Sequence, residues 1–70
     1  MYSNLKAVMA IKGVTIDSMA NLLGVHRNTV SSKLEGDSEF TFGQAEQIQS
    51  TMFPEYNSSY LFRRDPHPSA

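Results

Sequence analysis

Residues Thr15 to Leu34 read TIDSMANLLGVHRNTVSSKL, with two short amphipathic patterns on either side of Gly24-Val25. Met19, Ala20 and Leu23 recur at helical intervals before the glycine, and Val30 and Leu34 do so after it. One apolar face of each segment can therefore meet the other. Ala20 is small where two helix backbones must approach closely, and Gly24 can take the positive φ that ends a helix without steric cost. Thr15 can cap the first segment by accepting from a free amide one turn inside, and Asp17 suits the positive end of its dipole. This is the pattern of a helix-turn-helix, in which one helix supports, the turn sets an angle and the second helix is free to enter a groove.

With Val30 and Leu34 turned inward, about 100° per residue carries Asn28 and Ser32 almost directly away from the core, flanked by Thr29 and Ser31. Arg27 sits in the first turn with the longest reach. Such a face is polar and rich in donors and acceptors, which suits base edges and phosphates in a major groove: Arg can bind guanine bidentately and Asn can bind adenine. Ser31, Ser32 and Thr29 are assigned to phosphates or adaptable base contacts, and Lys33 to a backbone clamp. Thr15 and His26, at the two helix starts, complete the expected DNA-binding set.

At these residues the chain resembles the phage repressor and Cro family of helix-turn-helix proteins. Its run T-x-x-x-[LM]-A-x-x-[LV]-G-V-x-x-x-T-[IV]-S is matched by Thr15, Met19, Ala20, Leu23, Gly24, Val25, Thr29, Val30 and Ser31. The likeness continues through Lys33-Leu34-Glu35-Gly36, Phe40-Thr41-Phe42, Ala45, Ile48 and Tyr60-Leu61-Phe62, so that about sixty of the seventy residues are covered. The resemblance implies an all-α, compact five-helix bundle of the lambda-repressor-like kind, whose third helix reads DNA. It also implies a symmetric dimer on a near-palindromic double-stranded operator. By resemblance, Arg27, Asn28 and Ser32 fall on the base-reading positions. Two features depart from the family pattern: Ile16 stands where many members carry a phosphate-holding Gln, and the chain is not basic.

Six Lys and Arg stand against seven Asp and Glu, a net charge of −1, whereas nucleic-acid binders are commonly basic. The charges are unevenly spread. Residues 1–36 hold Lys6, Lys12, Arg27 and Lys33 against Asp17 and Glu35, while residues 37–62 hold only Asp37, Glu39, Glu46 and Glu55. The proposed DNA-facing half is thus mildly cationic. If a monomer neutralises about two or three phosphates, log affinity should fall with log salt at a slope of about −2 to −3. Dimerisation would then be needed for useful affinity.

Seventy residues make one domain near the lower limit for a stable core, with no cysteine and no metal cluster to staple it. The core expected from the pattern is Leu5, Val8, Val14, Met19, Ala20, Leu23, Val25, Val30, Leu34, Phe42, Ala45, Ile48, Met52, Leu61 and Phe62. The methionines read as packing or surface filler, and Met9 and Ile11 are candidates for exposure on the first helix. No apolar run reaches transmembrane length and no signal-peptide pattern is present, so a reducing bacterial cytoplasm, or that of a phage-infected host, fits.

The stop signals give a first helix at roughly residues 3–12, ended by Gly13, then the two helices described, the recognition helix spanning about 26–35 and closing at Gly36. Residues 36–41 form a loop. A fourth helix begins after the cap Thr41 and runs to about Phe53, where Pro54 stops it. Asn57 or Ser58 can cap a short fifth helix through Phe62. The domain therefore covers residues 1–62, and residues 63–70, with His67, are expected to form a disordered tail.

Catalysis has little to stand on: the folded part carries one His, no Cys, no paired-carboxylate or Ser-His-Asp spacing and no glycine-rich phosphate loop. No enzyme, cofactor or metal site is expected, and no membrane partner. His26 reads first as a polar residue at a helix start, and Lys33 equally as a cover for the core edge through its methylene stem. The rival to a sequence-specific transcriptional regulator is an antirepressor or modulator that keeps the fold but binds a heterologous repressor protein. It would use the uncharged Asn28-Thr29-Ser31-Ser32 face, with Val8, Met9 or Ile11 as an apolar anchor. A homodimer through Pro54 to Tyr60 is expected from the aromatics Phe53, Tyr56 and Tyr60, read as exposed.

Overall fold

A computed structural model describes residues 2–64. Among them the secondary structure is all helical, in the order α1 (Ser3–Lys12), α2 (Ile16–Leu23), α3 (Arg27–Glu35), α4 (Phe42–Met52) and α5 (Ser58–Leu61). Each boundary has a local cause. Thr15 caps α2, its hydroxyl accepting from the Ser18 amide at 3.1 Å while Ser18 Oγ accepts from the Thr15 amide at 3.1 Å. Thr41 and Gln44 make the same reciprocal box at the start of α4, at 3.1 and 3.0 Å. Asn57 Oδ1 accepts from the Ser59 amide at 2.7 Å and starts α5. Gly24 ends α2 at φ +70°, its amide bonded back to the Ala20 carbonyl, in the left-handed region that only glycine enters cheaply.

The helices α2 and α3 pack on each other, α4 packs on α2, and α5 bridges α1 and α4. Between them lies one core of Tyr2, Leu5, Val8, Met9, Met19, Ala20, Val30, Leu34, Ile48, Phe53 and Leu61. Val14, Leu23, Val25, Met52 and Phe62 pack half-buried against it, and Ala45 is likewise half-buried. A three-ring cluster ties distant parts of the chain together: Tyr2, Phe40 and Phe62 have centroids 5.3 to 6.1 Å apart in tilted or edge-on contact, a geometry that aromatic quadrupoles favour.

Three expectations about burial are corrected. Phe42 belongs to no core: it is 83% exposed, because Ile48, Met52 and Ala45 define the inner face of α4 and Phe42 lies roughly a quarter turn outside it. Of the aromatics read as exposed, Phe53 is fully buried and Tyr56 is half-buried against the core. The chain leaves α4 at Phe53, folds into a turn with the Tyr56 amide on the Phe53 carbonyl at 3.0 Å, and carries the Phe53 ring inward. Met9 is buried too, whereas Ile11 is 74% exposed. Tyr2, absent from the expected core, is buried with its amide on the Leu34 carbonyl at 3.4 Å.

Of the segment expected as a tail, residues 63–70, only Arg63 and Arg64 are described; the remainder, with His67, lies outside the described residues. Arg64 donates to the Gly36 carbonyl at 3.2 Å, pairs with Glu39 at 3.2 Å and stands over the Tyr2 ring at 5.6 Å. The packed unit therefore extends through Arg64. No helix of the described residues is long and apolar enough to cross a membrane.

Candidate nucleic-acid interface

The start of α2 and the start of α3 come together at one edge of the molecule. Three residues, Gly24, Val25 and His26, connect the helices. Burial of Met19 and Ala20 on α2 and of Val30 and Leu34 on α3 sets which side of each helix faces inward. What remains outside on α3 is polar: His26, Arg27, Asn28 and Thr29 are exposed, and Ser31 and Ser32 are half-buried.

His26 is the N-cap of α3, its Nδ1 accepting from the Asn28 amide at 3.0 Å. That contact uses Nδ1 as an acceptor and leaves Nε2 as the other hydrogen-bonding atom of the ring. Arg27 leaves the helix start and reaches back across the turn, where its Nε lies 3.2 Å from Asp17 Oδ1. Both side chains stay well exposed, at 61% and 67%. Thr15, two residues before Asp17, spends its hydroxyl on the α2 cap. Thr15, Asp17, His26, Arg27 and Asn28 thus belong to one rim of side chains around two helix N-termini, where backbone dipoles favour anions.

Lys33 is set apart from that rim. Its Nζ donates to the Glu39 carbonyl at 2.9 Å and stands 5.9 Å from the Phe40 ring centroid, so it closes the loop after α3 over the aromatic cluster. Other cations are similarly engaged: Lys6 with Glu35 at 3.3 Å, and Lys12 with Glu55 at 2.6 Å. The Lys12 hydrogen bond holds the Glu55 carboxyl below its ordinary range.

Two residues of this region escape a reading of the sequence by period and motif. Ser18 completes the α2 cap from the third helical position, where Glu or Gln is the usual signal; Thr-x-x-Ser was the available clue. Asp17 reaches Arg27 across a turn, a ten-residue separation that no helical repeat marks. Among the described residues no group of three or more His, Asp or Glu side chains gathers as metal ligands. An open groove of about 280 Å³ between α4 and α5, lined by Phe42, Ala45, Gln49 and Phe62 among others, carries one carboxylate, Glu46, and no cation. No protein-family model matches the chain, nor does any curated protein or solved structure.

Proposed function

We propose that the chain is a sequence-specific DNA-binding transcriptional regulator, with α2 and α3 as a helix-turn-helix and α3 laid in the major groove. The observation that carries this reading is the combination at α3: Val30 and Leu34 anchor the helix inward while Arg27, Asn28 and Thr29 stand exposed at its N-terminal end. That end is the part of a recognition helix that meets base edges.

In this reading Arg27 donates to guanine O6 and N7, and Asn28 makes the matching pair of bonds to adenine. The start of α2 receives a phosphate of the neighbouring backbone on its backbone amides, Thr15 joining them only by releasing Ser18, as does His26 at the start of α3. Thr29, Ser31 and Ser32 supply short contacts along the groove. Lys33 is engaged by Glu39 and acts as a phosphate clamp only by releasing that carbonyl. Because the cations near α3 are largely counter-charged, sequence-independent affinity is low, and two protomers on a near-palindromic site supply what one cannot. Regulation is by occupancy: the bound protein blocks or recruits polymerase and performs no reaction.

A second reading, a modulator that binds a repressor protein, is favoured by two exposed apolar side chains, Ile11 and Phe42, and by the paired state of the cations. Selection of random duplexes with the purified protein, followed by anisotropy titration, separates the two. Enrichment of a near-palindromic site is expected, with Arg27→Ala weakening binding by about 1–3 kcal/mol and relaxing one base position. Failure to enrich any site, together with a stoichiometric repressor partner from the host, would replace the first reading by the second.

A further inference from the structure

We infer that Asp17 is a positioning residue for base recognition: it holds Arg27 so that the end-on edge of the guanidinium faces the groove and selects guanine. The inference rests on the DNA-binding reading above and adds to it a residue that touches no base. A guanidinium offers two bidentate edges, one formed by Nε with a terminal nitrogen and one formed by the two terminal nitrogens. Asp17 Oδ1 stands 3.2 Å from Nε and so places its negative charge beside the first edge. The second edge remains, and two parallel donors match the O6 and N7 acceptors of guanine.

The two partners are held by different elements, which is what makes the contact directional. Asp17 lies in the first turn of α2, next to the Thr15–Ser18 capping box, and Arg27 is the first residue of α3. A free Arg side chain loses rotamer entropy when it docks; one already tethered at Nε has lost part of it. The pair is too exposed to matter for folding stability, since solvent-screened ion pairs contribute little. Its consequence is therefore where the guanidinium sits. Asp17 also places a negative charge beside the phosphates, which lowers affinity for every sequence alike. The tether raises the ratio of specific to non-specific binding, and the charge leaves that ratio unchanged.

The test measures guanine preference at the Arg27-dependent base pair, and affinity for an unrelated duplex, in wild type, Arg27→Ala, Asp17→Ala and Asp17→Asn, with circular dichroism to show that each is folded. Wild type should prefer guanine by about 5- to 150-fold, the equivalent of one good bidentate pair. Asp17→Ala should lower that preference by up to about 5-fold, the most that an exposed ion pair can supply. Asp17→Asn, which removes the charge that attracts the guanidinium, should lower it to the same extent. Both Asp17 variants should bind the unrelated duplex more tightly at low salt and converge with wild type at high salt. Undiminished guanine preference in Asp17→Ala would overturn the inference, as would undiminished preference in Asp17→Asn. So would a changed base preference at a position that Arg27→Ala leaves untouched, because Asp17 would then contact DNA itself. In all three cases the DNA-binding reading would stand. A wild-type protein that selects no duplex would overturn both.

Discussion

Between Thr15 and Gly36 each helix carries its own start and stop: Thr15 and His26 cap the beginnings, and Gly24 and Gly36 close the ends at φ +70° and +94°. Between Phe40 and Phe62 the starts are capped just as well, by Thr41 and Asn57, but position depends on distant partners. Gln47 donates to the Leu22 carbonyl at 3.1 Å, Asn4 to the Tyr60 carbonyl at 3.0 Å, and Phe40 and Phe62 meet Tyr2. Local signals suffice to place a helix along the chain. They do not orient it, and α4 and α5 are oriented by contacts that span up to sixty residues.

The sharpest way to test this contrast is to exchange attention between the two phenylalanines. Phe53→Ala, at a fully buried ring, should cost about 3–5 kcal/mol in urea unfolding. That is a large share of the total stability of a small domain. Phe42→Ala, at a ring 83% exposed, should change stability by no more than about 0.5 kcal/mol. Equal losses would mean that α4 turns its first residue inward after all. A smaller effect separates two glycines. At Gly24 an added Cβ meets nothing within 4 Å, so Gly24→Ala should cost only the backbone strain of a left-handed alanine, about 1–2 kcal/mol. Gly43, inside α4 and equally unobstructed, lies outside the left-handed region, so Gly43→Ala should stabilise by about 0.4–1 kcal/mol.

Below the cost at Gly24, Thr15→Ala and Thr41→Ala should each destabilise by about 1 kcal/mol through loss of a cap. They should differ in DNA titrations: only Thr15→Ala should weaken binding beyond what its stability loss explains. Weakest is the Lys12–Glu55 pair, which joins α1 to the turn before α5. Its lowered Glu55 pKa means that the pair stabilises the fold above the ordinary value of 4.5. The contribution is lost as pH falls through the lowered native value. Urea unfolding of wild type and Glu55→Gln should therefore show a small difference at neutral pH that closes on acidification.

How far the sequence can be read follows the same division. Thr15, Gly24, Thr41, Pro54 and Asn57 announce helix ends because capping and left-handed φ are chemistry of a few adjacent residues, and the elements fall where those residues put them. Val30 and Leu34 sort the faces of α3 because their spacing is a property of one helix. The period is less informative in α4, where Ile48 alone is fully buried and a large apolar residue sits at the exposed first position. Lys33 could be read as clamp or cover, and only its contact with the Glu39 carbonyl shows which it is in the free protein.

Capping residues, glycines and a 3.6-residue period were enough to lay out five helices and to give α3 a polar outer face, because each is settled within a turn or two of chain. The exchange of Phe42 for Phe53 in the core, the burial of Tyr2, the tether from Asp17 to Arg27 and the hold of Arg64 on Gly36 and Glu39 required the folded molecule. Each is decided by which side chains arrive from elsewhere and at what angle, and none is encoded in any short window of sequence.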